Sequence, residues 1–473
     1  MELDKDLQAR QQARDLLRQA EQAQKTLAQM PQKQLDGIVR AVAQAFHSAA
    51  AELAEMAVRE TGFGNVNDKI TKNEFASMRV LSAIEGMTCV GVLKENTGEK
   101  LWEIGVPVGV IAAIVPSTNP TSTVCYKAMI ALKSGNSIVF SPHPKAIGCT
   151  MRAAQIVAKA AESAGAPKGS VGCLSIPAMA GCKELMEGAE TRLILATGGP
   201  AMVKAAYSSG KPAIGVGAGN GPVYIHHSAN VEQALFCILR SKTFDYGTVC
   251  ASEQSIIVES AMEAEVKEKA AKMGFYFMNK DEAGCLAKLL FKPNGTLNPE
   301  IVGKAATVLA EKAGFAVPAN TKVLVAREQE AGPTRPYSME KLCPVLAFFV
   351  MESEDAVLSK AIEVLIHEGS GHTFAMHAQD QQVIRKFALQ IPVSRFLVNT
   401  PAALGGIGAS TGLFPALTLG CGAVGGSSSS NNISPMDLIN IRRVAWGAEG
   451  ATKPSAEDDL IEILTAKILE RLK

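Results

Sequence analysis

The stretch RLILATGGPAMVKAA, residues 192–206, decides how the chain folds. An apolar run reaching Thr197 has the look of a buried strand, Gly198 and Gly199 supply a turn, and a helix opens from Ala201. The same alternation continues upstream, through the strand VGVIAAIV (108–115), a helix through YKAMIALKSG (126–135), the strand NSIVFSP (136–142) and a helix from Cys149 to Ala164. It resumes downstream with SIIVES (255–260), a long helical region to Leu290, TKVLVA (321–326), PVLAFFVME (344–352), a helix over 354–366 and FLVNTP (396–401). Strands separated by helices of this length imply βαβ units and a mostly parallel sheet. Two helices precede them, Leu3 to Met30, stopped near Pro31, and Gln34 to Glu60.

A chain of 473 residues is too long for one ordinary core, so two α/β domains are expected, and a hydrophobic content of 47% is enough to fill them. Lys and Arg total 47 against 46 Asp and Glu, without a basic block, which speaks against a nucleic-acid partner. The ten cysteines are scattered, with no CxxC and no Cys/His pair at ligand spacing, so no metal is expected and reduced thiols in a cytoplasmic setting fit. The apolar run VPVGVIAAIVP (106–116) falls well short of the roughly 20 residues that span a bilayer. A soluble protein is expected.

The C-terminus differs in kind. Beyond Trp446 a polar stretch, GAEGATKPSAEDD, leads into LIEILTAKILERLK (460–473), with Leu460, Ile461, Leu464, Ile468 and Leu472 at helical spacing. Asp458 and Asp459 at its start and Lys467, Arg471 and Lys473 near its end suit a helix dipole. The expectation is a flexible linker over 448–457 and an amphipathic helix over 458–473. Such a helix either packs back on its own domain or a neighbouring subunit, or docks in another protein's groove.

Three segments carry candidate chemistry. Cys250, in FDYGTVCASEQ (244–254), follows a predicted helix (231–242) and a glycine-containing loop and precedes SIIVES, so it is presented at a domain junction. It is either a nucleophile or one more buried thiol among ten. Asn119, in VPSTNPTST (115–123), is held out of helix by Pro120; it forms an ordinary turn or offers an amide to a developing oxyanion. The glycines of 196–206 and of GKPAIGVGAGNGP (210–222), Gly217 among them, permit close approach of a ligand, and the first run sits where helix N-terminal amides suit a pyrophosphate.

Together VPSTNPTS, SPHPKA (141–146), ILATGGPAMVKAAYSSGKPAIGVGAGN (194–220), SKTFDYGTVCASEQS (241–255), EKLCPVLA (340–347), GSGHT (369–373) and LTLGCGAVGG (417–426) resemble the aldehyde dehydrogenase superfamily. The resemblance is strongest to its CoA-acylating branch, including the aldehyde dehydrogenase part of bifunctional aldehyde/alcohol dehydrogenases, and covers about residues 5 to 445. It implies an α/β aldehyde dehydrogenase fold with a Rossmann-like cofactor domain over 1–238, a catalytic domain over 239–401, and a return of 402–447 to the first domain that forms a β-hairpin oligomerisation arm. By position, Cys250 matches the nucleophile, and Asn119 with the Cys250 backbone N–H matches the oxyanion site. Glu340 matches the glutamate on the nicotinamide ribose, Thr197, Gly198 and Gly199 the turn near the pyrophosphate, and Ser141 with His143 the adenosine end. His372 matches a histidine of the acylating branch near the active site; a lone histidine is more often structural.

Two departures carry information. Where hydrolytic relatives have a general-base glutamate, this chain has Val216, and where the cofactor turn usually has its second glycine it has Val203. The resemblance therefore implies a short-chain aldehyde oxidised through a Cys250 thioester that is passed to coenzyme A, with NAD as oxidant. Acetaldehyde is the first expectation and propionaldehyde the second, because no basic cluster suggests an acidic substrate. A hydrolytic dehydrogenase and an inactive shell-associated scaffold are the alternatives. The C-terminal helix resembles the encapsulation peptides of bacterial microcompartment cargo, which implies a shell-protein partner and a place inside such a compartment. Family members associate as dimers or tetramers.

Overall fold

A computed structural model describes residues 4–447 and 456–472. The strands β1 (Gly91–Asn96) and β2 (Leu101–Pro107) form an antiparallel hairpin, with Gly91 opposite Gly105. Five strands then build the first parallel sheet: β3 (Val110–Ile114), β4 (Ser137–Ser141), β5 (Val171–Cys173), β6 (Thr191–Thr197) and β7 (Ala213–Val216), in the order β5-β4-β3-β6-β7. Alternation divides its core. Ile111 and Ala113 pack with Val124 and Met129 of the helix Pro120–Lys133, while Val110, Ala112 and Ile114 pack with Ala13, Leu17 and Ala20 of the helix Lys5–Leu27.

Strand order reverses between β3 and β6, where the chain has gone first to one side of β3 and then to the other. Such a switch point opens a crevice at the carboxyl ends of the strands. Lys127, wholly buried, ties the two strands together there by donating to the carbonyls of Ile114 and Leu195, at 2.8 Å each.

The second sheet, also parallel, contains β8 (Gly221–Ile225), β9 (Glu253–Glu259), β10 (Phe275–Phe277), β11 (Val323–Arg327), β12 (Val345–Met351), β13 (Gly371–His377) and β14 (Val393–Val398), in the order β10-β11-β12-β9-β8-β13-β14. The last strand, β15 (Ile439–Ala445), returns to flank β2 with Ile439 opposite Pro107. Of the residues in β1, β2 and β15 only Gly105 is buried.

Several expectations are corrected. The helix expected over Gln34–Glu60 is two, Gln32–Ser48 and Ala50–Thr61, parted at Ala49. The helical region up to Leu290 is interrupted: Gly274 takes a left-handed conformation at the end of Glu263–Met273, β10 follows, and an Asn279–Glu282 capping box opens Lys280–Leu290. β8 belongs to the second sheet, so the division between domains falls before Gly221 rather than at 238. The hairpin is built from 91–107, and 402–447 contributes only β15 to it; Ile407, Leu419 and Ile433 of that segment pack in the first core.

At the other end of the chain, a helix spans Ala456–Arg471. Leu460, Ile461, Ile463, Leu464, Ile468, Leu469 and Leu472 are 50–78% exposed, so it does not pack back on its own domain. Most of the expected linker, 448–455, lies outside the described residues. None of the described helices is long and apolar enough to cross a membrane.

Candidate active site

The carboxyl ends of the first sheet face the amino ends of the second, and the predicted residues come from both. Asn119 follows β3, Ser141 and His143 follow β4, Thr197 to Gly199 follow β6, and Val216 and Gly217 end β7. Cys250 precedes β9 and Glu340 precedes β12. Asn119, Cys250, Glu340, Thr197, Gly199 and Val216 line one cavity of about 220 Å³.

Asn119 stands immediately before the helix Pro120–Lys133 but does not cap it. An asparagine at this place usually spends its side-chain oxygen on its own helix. Here Oδ1 accepts from Lys72 Nζ at 2.6 Å. An ammonium only donates, so the amide is oriented with its N–H₂ on the other side, where its protein contacts are long: 3.2 Å to Thr118 Oγ1 and 3.5 Å to the Thr248 carbonyl. The Asn-Pro pair is therefore a helix start that leaves an amide donor for the cavity.

Cys250 sits in a constrained loop. Asp245, Tyr246 and Gly247 all have positive φ, at 47°, 51° and 75°. Two consecutive non-glycine residues in that region store strain, which surrounding contacts must hold. They do so through Asp245, wholly buried, whose Oδ2 is 2.9 Å from Lys69 Nζ and 2.5 Å from Lys72 Nζ, and whose Oδ1 accepts from the Asn65 N–H. From the other side Gly219 presses on the nucleophile: a Cβ there would lie 1.9 Å from the Cys250 carbonyl oxygen.

Burial, with Glu340 and Cys421 adding to it and Arg395 opposing, pushes the Cys250 thiol up to about 12. The free protein therefore holds a thiol rather than a thiolate. Among the described residues no backbone carbonyl accepts its N–H, which with the Asn119 amide provides two donors at one cavity. Glu340 accepts from the Gly219 N–H at 2.8 Å, and burial, reinforced by Glu368, pushes it up to about 8. Among the described residues lining the cavity it is the only acid; Val216 presents an aliphatic wall.

A second cavity, about 330 Å³, adjoins the first and shares His143, Thr197, Gly198, Gly199 and Pro200 with it. Ser141, Ile176, Pro177 and Met179 add mostly apolar walls. Cβ atoms at Gly199 or Gly217 would have nothing within 4 Å, so both glycines border open space. Apolar walls, a glycine floor and a helix beginning at Pro200 fit the base and diphosphate of a dinucleotide. Val203 occupies the room left by Gly215, where a Cβ would lie 2.6 Å from its Cγ1.

His372, expected near the active site, does not line the cavity. It lies wholly buried in β13 with Nδ1 2.9 Å from Thr373 Oγ1, and burial, with Arg395, pushes it down to about 3. Away from the site, past the carboxyl ends of β8 and β9, His226, His227 and Glu259 converge within 4.8 Å. There Nδ1 of His226 accepts from the Ser228 N–H, which leaves the hydrogen on Nε2 and argues against a metal ligand. Reading the sequence missed Lys69 and Lys72. Asp245 lies in the same motif as Cys250, but nothing in the spacing points to lysines 176 and 173 residues away.

Residues 5–274 match the aldehyde dehydrogenase family, and the chain belongs to it. Within that family it is 49% identical to an acetylating aldehyde dehydrogenase from Geobacillus thermoglucosidasius, whose structure superposes with a TM-score of 0.93 over 95% of this chain and 99% of the other. A propionaldehyde dehydrogenase from the Clostridium phytofermentans fucose utilisation bacterial microcompartment is 29% identical, with a TM-score of 0.83 over 91% of this chain and 96% of that one. Among curated proteins, the bifunctional aldehyde-alcohol dehydrogenase AdhE of Escherichia coli is 45% identical over 439 residues, 92% of this chain and 49% of that protein. The chain thus spans about half the length of that relative.

Proposed function

We propose that the protein oxidises a short-chain aldehyde to its acyl-CoA thioester with reduction of NAD, acetaldehyde being favoured and propionaldehyde second. The observation that carries this reading is a cavity lined by Cys250, by the Asn119 amide and by Val216, the last at the position where the family resemblance would put a water-activating carboxylate. Likeness to an acetylating enzyme over nearly the whole chain supports it.

The Cys250 thiol first gives up its proton to solvent, and attack of the resulting thiolate on the aldehyde carbon breaks the carbonyl π bond and moves charge onto the oxygen, which would lie between the Cys250 N–H and Asn119 Nδ2. The hydride that leaves that carbon would be taken up by the oxidised nicotinamide, the chemistry that NAD would supply when bound. A thioester then remains on Cys250, and no carboxylate at Val216 turns water against it. The thiol of coenzyme A displaces the acyl group in a nearly balanced exchange, and Cys250 is regenerated. Ser141 and His143 would hold the adenosine end, Thr197, Gly198, Gly199 and Gly217 would make room for the diphosphate, and Glu340 would hold the ribose. His372 supports the active-site wall from behind, as a neutral imidazole.

Purified protein is expected to form NADH from acetaldehyde only with CoA present, and Cys250→Ala to abolish it. Equal rates without CoA would show that water reaches the thioester and would sink the acylating reading.

The proposal extends to assembly. The family's dimer or tetramer would form through the open sheet β1-β2-β15, and the exposed apolar face of Ala456–Arg471 would dock on a shell protein, placing the enzyme inside a bacterial microcompartment. Likeness to a microcompartment enzyme supports this. Removal of 448–473 should leave turnover unchanged within twofold and release the enzyme from shells isolated by sedimentation; retention in the shells would exclude the helix as the tether.

A further inference from the structure

Lys72, buried on the helix Val66–Glu74, spends its three ammonium protons on three acceptors: Asn119 Oδ1 at 2.6 Å, Asp245 Oδ2 at 2.5 Å and Thr248 Oγ1 at 2.9 Å. Asn119 carries the amide donor, and Asp245 and Thr248 belong to the loop that ends in Cys250. One side chain therefore joins the two halves of the oxyanion site. Lys69, one turn earlier, repeats the bridge less directly, from Asp245 Oδ2 to the Thr118 carbonyl, both at 2.9 Å.

We propose that Lys72 is a positioning residue for the acyl-transfer chemistry of Cys250, holding the Asn119 amide with its N–H₂ end free for the substrate oxygen and strengthening it as a donor. The inference rests on the proposed reaction only in taking Cys250 as the nucleophile. Two effects combine. An amide can present either end to a cavity, and a fixed ammonium on the oxygen selects one of them. A positive charge on Oδ1 also draws density from the amide, so its N–H binds an oxyanion more strongly, in surroundings where little water screens the effect.

The charge on Lys72 is itself sensitive to pH. Burial pushes it down to about 8, against Asp245 and Asp68, which raise it, and with Lys69, which lowers it further. Phe244 also faces it, its ring centroid 5.4 Å from Nζ. Above that pH a neutral amine would turn its lone pair toward one of three acceptors, and a contact becomes a repulsion. Below it, all three are satisfied. Glu340, in the same cavity, changes charge in the same range, so a test must separate the two.

Two reagents do so on the full chain without NAD or CoA. 4-Nitrophenyl acetate acylates Cys250 through an oxyanion; iodoacetamide alkylates the same sulfur without one. The ratio of the two rates at Cys250, followed by nitrophenolate release and by mass spectrometry, cancels the thiolate fraction. Lys72→Met is expected to lower that ratio at least tenfold, with alkylation changed less than about threefold. In the native protein the ratio should fall as pH rises through about 8. Lys72→Arg, which stays charged, should fold and remove that step, whereas a step set by Glu340 would persist in it. Equal loss of both rates, no change in the ratio, or a step that survives in Lys72→Arg would overturn the proposal. Native protein that shows the ratio effects but turns over no aldehyde with CoA would contradict the proposed function and leave the role of Lys72 standing; CoA-dependent turnover with an unaltered ratio would do the reverse.

Discussion

The two adjoining cavities share a wall yet are built by opposite means. The one beside Ser141 and His143 is made of prolines, aliphatic side chains and glycine backbone, with open space above Gly199. The one around Cys250 is held by buried ions and by backbone pressed against backbone: Asp245 between two lysines, Glu340 on the Gly219 N–H, and Gly219 against the Cys250 carbonyl. A surface that takes a flat ring and a diphosphate, as proposed for this side, works with room to spare. A site that must place a sulfur and two N–H donors around one oxygen gains from having no room, because misplacement by about 1 Å costs on the order of a hundredfold in rate.

A single methyl group added to each side tests that contrast, and the larger effect is expected on the Cys250 side. Gly219→Ala cannot be accommodated without moving the Cys250 carbonyl, since the Cβ would sit 1.9 Å from it. Overpacking of this kind costs about 1–3 kcal/mol of stability. Displacement of the nucleophile should lower kcat by about a hundredfold, with KM for NAD little changed. Thermal unfolding and steady-state kinetics measure both. A variant with native kcat would show that the loop carrying Cys250 yields, and that its close packing has no catalytic purpose.

The same contrast explains what was legible in the sequence. The parallel sheets were readable because β3 and β4 are buried on both faces, and a short wholly apolar run such as VIAAI ahead of a helix reads as a buried strand. The glycine-lined turn beside Ser141 and His143 was readable because its parts are local: a strand end, two glycines and a helix start within one short stretch. Limits of elements were less visible where one glycine or one cap decides them, as at Gly274 and Asn279, and the expected domain limit at 238 left β8 on the wrong side because a short apolar strand does not announce its neighbours. On the Cys250 side the family resemblance located Cys250, Asn119 and Glu340 but not the lysines that orient them. Ion pairs between segments 173 and 176 residues apart leave no periodicity to find. His372, prominent in its motif, is wholly buried in β13 and does not line the cavity.

On the open side the smaller effect is expected. Gly199 has φ −64° and ψ 162°, a conformation any residue adopts, and its Cβ would meet no protein atom within 4 Å. Gly199→Ala therefore has no reason to destabilise the fold, and its melting temperature should match the native protein within about 1 °C. The added methyl enters the space shared by the two cavities, so it should compete with the dinucleotide: KM for NAD is expected to rise about three- to tenfold while kcat stays within twofold, since one displaced contact is worth roughly 1 kcal/mol. An unchanged KM would mean that the diphosphate passes elsewhere and that the open floor at Gly199 serves another ligand. A fall in kcat at constant KM would mean that this turn positions the Cys250 chemistry as tightly as Gly219 does, and the division into a roomy side and a tight side would be wrong.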